Sequence, residues 1–328
     1  MKKLIAILCI FMLALGLVAC SQPTDTANGT KGGSEVAEAI TIAGVLGDVE
    51  LEGPAQRVVA LEWTYAENLL AVGVQPIGVT DIQNYNNWVQ IEEKFDDNVV
   101  DVGTRQEPSL EKIAELQPDL IIAIKFRHEA IKSQLESIAP TVFFDPYPTD
   151  ENFNQYDEME STFREIAKAV GKSSEAEQVL AELEDTYVEA KAAIDSASLT
   201  TKDVILTQAF SANQAPQIRL FTPNALASVI LEKIGLNNVH TSEVLEIYGF
   251  STVNVEALTI YEEANYLYVV QDNDNIYENQ LKDNKVWNGL EFVKENRTFP
   301  LGGDAWLFGG PLSAKVVVDR IVNILVTN

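Results

Sequence analysis

The chain has 328 residues, 46% of them hydrophobic, with 23 basic against 49 acidic side chains and a net charge of −26 at neutral pH. So acidic a polymer repels polynucleotides and anionic lipid surfaces, which excludes nucleic acid as a partner. With only His128 and His240 in the whole chain, a metal site of three imidazoles is impossible.

Lys2-Lys3 open the chain, an apolar run follows from Leu4 to Val18, and Leu17-Val18-Ala19-Cys20 closes it. The run is shorter than the ~20 residues that a spanning helix needs. A cysteine directly after a small residue at this point resembles a bacterial lipoprotein signal, so residues 1–19 are expected to be removed and Cys20 to carry lipid. An uncleaved anchor with a chance cysteine is the alternative. Cleavage would also remove Cys9, leaving no disulfide framework and no thiol nucleophile. It would leave 21 basic against 49 acidic residues, a net charge of −28. Residues 20–38, polar and glycine-rich over Ser21 to Ser34, read as a flexible tether.

Ala39 to Leu51 alternates around Gly47-Asp48, a hairpin signal. Strands are then expected at Arg57–Leu61, Pro76–Val79, Asp119–Ile124 and Thr141–Phe144, with helices at Ala66–Val72, Leu110–Leu116 and Glu129–Ile138. Such alternation implies an α/β fold with mainly parallel sheets covered on both faces. Met159, Phe163, Ile166, Ala167 and Val170 recur at helical spacing up to Gly171, and Ser174-x-x-Glu177 reads as a capping box opening a second helix through Val179, Leu183, Tyr187, Ala190 and Ile194. The alternation resumes with strands Asp203–Gln208 and Tyr266–Val270 and helices Ala225–Ile234, Val255–Tyr261 and Leu312–Leu325. Two βα lobes are thus expected, residues 39–152 and 172–328, joined through residues 153–171 at a nearly fixed angle.

Nucleophile elbow, zincin, Walker A and dinucleotide-binding glycine motifs are all missing, and no nucleophile, base and orienter set can be assembled, so no catalytic residue, metal site or cofactor is expected. Met159, the one methionine after the signal, belongs to an apolar stripe and reads as core. The seven arginines are more telling. Arg105, Arg127 and Arg219 are placed outside helix interiors, where loops converge, and guanidinium suits planar, two-point capture of carboxylate. Arg164 and Arg320 fall in charge-rich helices and read as surface pairs. Trp63, Tyr65, Trp88, Tyr248, Trp306 and Phe308 lie in loops or beside glycines and are candidates to line a cleft, whereas Tyr266 and Tyr268, two apart on a strand, read as packing.

The segments Arg57–Leu70, Val102–Ala123 and Gly309-Gly-Pro-Leu-Ser-Ala-Lys315 resemble the ferric-siderophore binding lipoproteins of bacterial ABC importers, relatives of the vitamin B12 and hydroxamate-siderophore binders. The resemblance covers nearly everything from Ala39 onward. It implies two α/β lobes joined by one long helix, the Asp157–Val170 element, with ligand in the cleft between them. Arginines at these places resemble the subgroup that binds citrate-based, carboxylate-type ferric complexes. The expected ligand residues are Trp63, Arg105, Arg127, Arg219, Tyr248 and Trp306. Glu111 and Glu256 match the family's docking glutamates, one per lobe, which meet arginines of the membrane permease. The implied protein is a monomer held by its lipid on the extracytoplasmic face of the cell membrane. A haem or corrinoid binder of the same fold is the alternative, although no Met/His pair of the haem-binding relatives is visible, and a surface adhesin or lectin is a more distant one.

Overall fold

A computed structural model describes residues 39–150 and 152–326. The signal, Cys20 and the tether lie outside the described residues. In chain order the elements are β1 (Ile40–Ile42), β2 (Val49–Leu51), β3 (Val58–Ala60), α1 (Trp63–Ala71), β4 (Gly78–Val79), α2 (Ile82–Trp88), β5 (Val100–Asp101), α3 (Leu110–Leu116), β6 (Leu120–Ile124), α4 (Lys125–His128), α5 (Lys132–Glu136) and β7 (Thr141–Phe144). Then come α6 (Gln155–Ala169), α7 (Ser173–Ser196), β8 (Asp203–Ala212), β9 (Ala215–Phe221), α8 (Leu226–Lys233), β10 (Asn237–Asn238), β11 (Phe250–Val253), β12 (Asn265–Val270), α9 (Glu291–Lys294), β13 (Thr298–Pro300) and α10 (Pro311–Val326).

The first half builds a wholly parallel sheet in the order β5-β4-β3-β6-β7, with the hairpin β1–β2 beside it. β6 reads Leu-Ile-Ile-Ala-Ile and is buried throughout, as a strand covered on both faces must be. The second sheet runs β11-β9-β8-β12-β13, with β10 also on β8, and is mixed: β9 is antiparallel to both of its neighbours. Sequence periodicity overlooked β9 because its turn, Asn213-Gln214, has positive φ at both residues without any glycine to announce it.

Two further expectations need correcting. Glu129–Ile138 is not one helix; α4 begins earlier, a 3-10 turn follows at Glu129–Ile131, and Ile131 (φ −110°, ψ 13°) separates it from α5. The Ser174/Glu177 box does not form either, because α7 starts at Ser173 after Lys172, and Glu177 instead pairs with Arg164 (2.8 Å). Val255–Ile260 is a 3-10 helix.

α6 begins cleanly, since Asn154 Oδ1 accepts the N–H groups of Tyr156 (2.7 Å) and Asp157 (3.3 Å). Gly171, at φ +70°, ends the segment. Its first turns, Tyr156 and Met159, pack in the core of the second sheet, and Phe163 to Val170 pack in the core of the first. α7 shares the span: Ala176 and Leu180 belong to the first core, Leu183 to Ile194 to the second.

The halves are also clasped elsewhere. Glu67 on α1 accepts the Ser313 N–H (2.8 Å) and hydroxyl (2.6 Å) at the start of α10, and Thr64 donates to the Phe308 carbonyl (2.7 Å). A methyl on Gly309 would collide with the Ser313 side chain and approach Glu67 Oε2 to 2.7 Å, which is why glycine stands there. Two spanning helices and this clasp thus connect the halves.

Candidate ligand cleft

Three charged side chains of the first half meet at the carboxyl ends of its parallel strands, where open α/β sheets bind ligands. Glu62 follows β3, Arg105 lies on the loop after β5, and Arg127 sits on α4, directly after β6. Arg105 Nη1 donates to Glu62 Oε1 (2.7 Å) and Arg127 Nε to Oε2 (3.2 Å). Glu62 is only 6% exposed, so one buried carboxylate orients two guanidiniums and cancels one of their charges.

Arg105 is held from two further sides. Its Cζ lies 3.6 Å from the centre of a Trp63 ring, a cation–π contact. His128 fixes its backbone: Nδ1 accepts the Ile124 N–H (3.2 Å), which assigns the proton to Nε2 and lets it donate to the Arg105 carbonyl (2.8 Å). Burial lowers the His128 pKa below its ordinary value, so this imidazole stays neutral at pH 7.

Arg219 comes from the second sheet. It stands in β9 opposite Gln208 and Thr252, donates to Gln208 Oε1 (2.8 Å), and packs between Phe210 (4.9 Å) and Phe250 (4.3 Å). Burial lowers its pKa, yet a guanidinium remains charged at any physiological pH.

Between the halves lies a cleft of about 460 Å³, within the ~300–1,000 Å³ of small-ligand sites. Arg105, Arg127 and Arg219 all line it, with Tyr248 and Trp306. Phe126 (40% exposed) and Tyr147 from the first half touch Tyr248 (50% exposed) from the second, at 5.2–6.1 Å between ring centres. Trp306 packs against Phe308 (5.2 Å between ring centres) and equally against Trp63 of the first half (5.2 Å). Several residues that line this space carry buried polar atoms with no partner among the described residues: Arg105 Nε, Arg219 Nε, Trp306 Nε1, the Asn68 amide and the Tyr65 hydroxyl. Buried polar groups are normally satisfied, so unspent donors around a cleft point to a polar ligand.

Not every expected residue stands where the sequence put it. Trp63 is 2% exposed and lies behind Arg105, outside the cleft lining, because it opens α1 and donates Nε1–H to the Thr80 carbonyl (3.2 Å). Arg219 is in a strand and Arg127 in a short helix, not in loops. Arg164 and Arg320 do form ion pairs, with Glu160 and Glu177 and with Asp304. Tyr266 and Tyr268 pack among Tyr277, Trp287 and Phe292. Glu111 and Glu256 are exposed, each in a first turn, and their carboxylates pair with no side chain among the described residues. They lie outside the cleft lining.

Sequence reasoning missed Glu62, Tyr147, Glu158 and Phe250. Glu62 had a signal, since it directly follows a buried strand in a parallel sheet. Glu158 had a weaker one: with Gln155 and Thr162 it forms a polar row at helical spacing beside the apolar stripe.

The family model for periplasmic binding proteins matches residues 58–305. The Fe(3+)-citrate-binding protein YfmC of Bacillus subtilis (strain 168) is 28% identical over 98% of both chains. The iron(3+)-hydroxamate-binding protein FhuD of Escherichia coli (strain K12) is 30% identical over 81% of this chain and 86% of its own. Among solved structures, the Fe3+-Desferal-bound siderophore binding protein FhuD from Vibrio cholerae superposes with a TM-score of 0.74 at 28% identity, covering 83% of this chain and 98% of its own.

Proposed function

Because the chain belongs to the periplasmic binding protein family, we propose that it captures a citrate- or carboxylate-type ferric siderophore and delivers it to an ABC permease, anchored by lipid at Cys20. It is a solute-binding protein and not an enzyme, and its ligand is cargo. The observation that carries the ligand class is the convergence of Arg105, Arg127 and Arg219 from both halves on one cleft, with donors left unspent. The chelator already satisfies the iron, so the protein needs cations and hydrogen bonds rather than metal ligands. The likeness to a ferric-citrate-binding relative over 98% of both chains supports the same reading.

Three charge-assisted contacts at about 1.5–3 kcal/mol each supply several kcal/mol. Nanomolar binding needs about 12 kcal/mol net of association costs, and the aromatic walls of the cleft are the source of the remainder. The net charge of −28 left after removal of residues 1–19 opposes an anionic ligand at long range, but at ~0.15 M salt this is screened beyond about 8 Å.

Glu111 and Glu256 are the docking residues in this reading, one per lobe, touching permease and not ligand. The test is uptake of radioactive iron as ferric citrate by cells that depend on this protein. Uptake should require the wild-type chain and fall sharply in Glu111→Ala with Glu256→Ala, while the purified double variant keeps ligand affinity. Uptake independent of the chain would refute the function, and full uptake by the double variant would refute the docking assignment.

A further inference from the structure

α6 presents Gln155, Glu158 and Thr162 to the cleft. Gln155 is committed: Oε1 accepts the Leu226 N–H (3.2 Å) and Nε2 donates to the Ile247 carbonyl (3.3 Å). Thr162 is committed as well, its hydroxyl donating to Glu158 Oε1 (2.6 Å). Glu158 is not. Its second oxygen accepts no hydrogen bond and its carboxyl pairs with no cation among the described residues, although three arginines line the same space.

Other polar groups share the space around Glu158. From α1 comes Tyr65, and Glu62 at the start of that helix is already occupied by Arg105 and Arg127. After β7 come Asp145, paired with Lys125 (3.0 Å), and Tyr147. The second half contributes Tyr248 and Arg219, whose Nη1 is spent on Gln208. Burial keeps the Tyr65 and Tyr147 hydroxyls protonated well above their ordinary range.

We propose that Glu158 is a specificity-determining residue of this cleft: it meets the ligand as the neutral acid and donates its O–H to an oxygen of the anionic ferric chelate. Where the free carboxyl is ionised, binding then takes up one proton. With Glu158 neutral, three arginines against Glu62 leave the cleft at +2; with Glu158 ionised the count falls to +1 and a carboxylate faces an anion. This rests on the ligand class proposed above and adds the protonation state that the class requires. In support, burial raises the Glu158 carboxyl to about 7, with the charge of Asp145 raising it further and the Thr162 hydrogen bond opposing the shift. The neutral acid therefore prevails below pH 7 and is lost as the pH rises past it. If only the neutral form binds, the competent fraction drops about tenfold between pH 6 and pH 8.

The experiment titrates ferric citrate into the wild-type protein and Glu158→Gln by calorimetry at pH 6 and pH 8, in buffers of different ionisation enthalpy. Glutamine keeps a donor and cannot ionise. The ratio of the two affinities cancels the ligand's own titration. Near-equal affinities at pH 6, a wild type about tenfold weaker than the variant at pH 8, and uptake of close to one proton by the wild type at pH 8 are expected. An affinity ratio equal at both pH values, with no proton taken up, would overturn the proposal. Should Glu158→Gln fail to fold, Thr162→Val decides, because removing the hydrogen bond that stabilises the carboxylate should move the pH midpoint for binding upward; an unmoved midpoint overturns the proposal. Tight binding at pH 8 without proton uptake defeats this inference alone, whereas no binding of ferric citrate at any pH defeats it together with the ligand class.

Discussion

Glu67 offers a direct measure of what holds the two halves together. Its carboxylate is 0% exposed and meets both donors of Ser313 at the first turn of α10, where helix N–H groups lack internal partners. Glu67→Ala leaves the Ser313 N–H and hydroxyl buried and unpartnered. Each such donor costs about 1–3 kcal/mol, so the variant should lose roughly 2–6 kcal/mol. Glu67→Gln keeps one acceptor and should lose about half as much or less. The pH dependence has a definite sign. Burial raises the Glu67 pKa above its ordinary 4.5, so its contribution to stability is fully present below the unfolded value and is lost as pH rises through the folded one. The stability of the wild type relative to Glu67→Gln should therefore decline as the pH rises from about 4.5. Urea unfolding followed by fluorescence over that range supplies both numbers. A loss under about 1 kcal/mol for Glu67→Ala would show that the clasp does not hold the halves together.

Arg219→Lys should weaken ligand binding by about tenfold or more while leaving the fold intact, because the charge stays and the planar fork is lost; equal titration midpoints would remove Arg219 from the site. Gly309→Ala should lower the thermal midpoint by several degrees, since its methyl has no room between Ser313 and Glu67; an unchanged melting curve would show that α10 can shift freely. Cys20→Ala should release an intact protein from cell membranes, and retention in the membrane fraction would show a different anchor.

The buried parallel strands were legible because each is a short apolar run bounded by turn residues, and β6 is the plainest case. What failed was local and has a physical cause. β9 carries Pro216, Gln217 and Arg219 on a hairpin whose turn residues, Asn213 and Gln214, adopt left-handed conformations that glycine would have advertised. Ser174 had the spacing of a cap, but Arg164 on the preceding helix outcompetes it for Glu177. The arginines of the cleft could be picked out because they fall outside the interiors of the expected helices. Their mutual arrangement could not, because Glu62 joins Arg105 and Arg127 across 43 and 65 positions of chain. Trp63 was misplaced for a related reason: its position after a strand suggested the cleft, while its ring is used to support the arginine that reaches it.

The central claim is that this cleft binds an anionic ferric chelate through its three arginines. Intrinsic tryptophan emission tests it, because Trp306 lines the cleft and Trp63 lies directly behind Arg105. Titration with ferric citrate and other carboxylate-type complexes should quench the emission saturably, and ferric hydroxamates and haem should do so weakly or not at all. Tight quenching by a hydroxamate complex or haem, with none by the carboxylate complexes, would contradict the account.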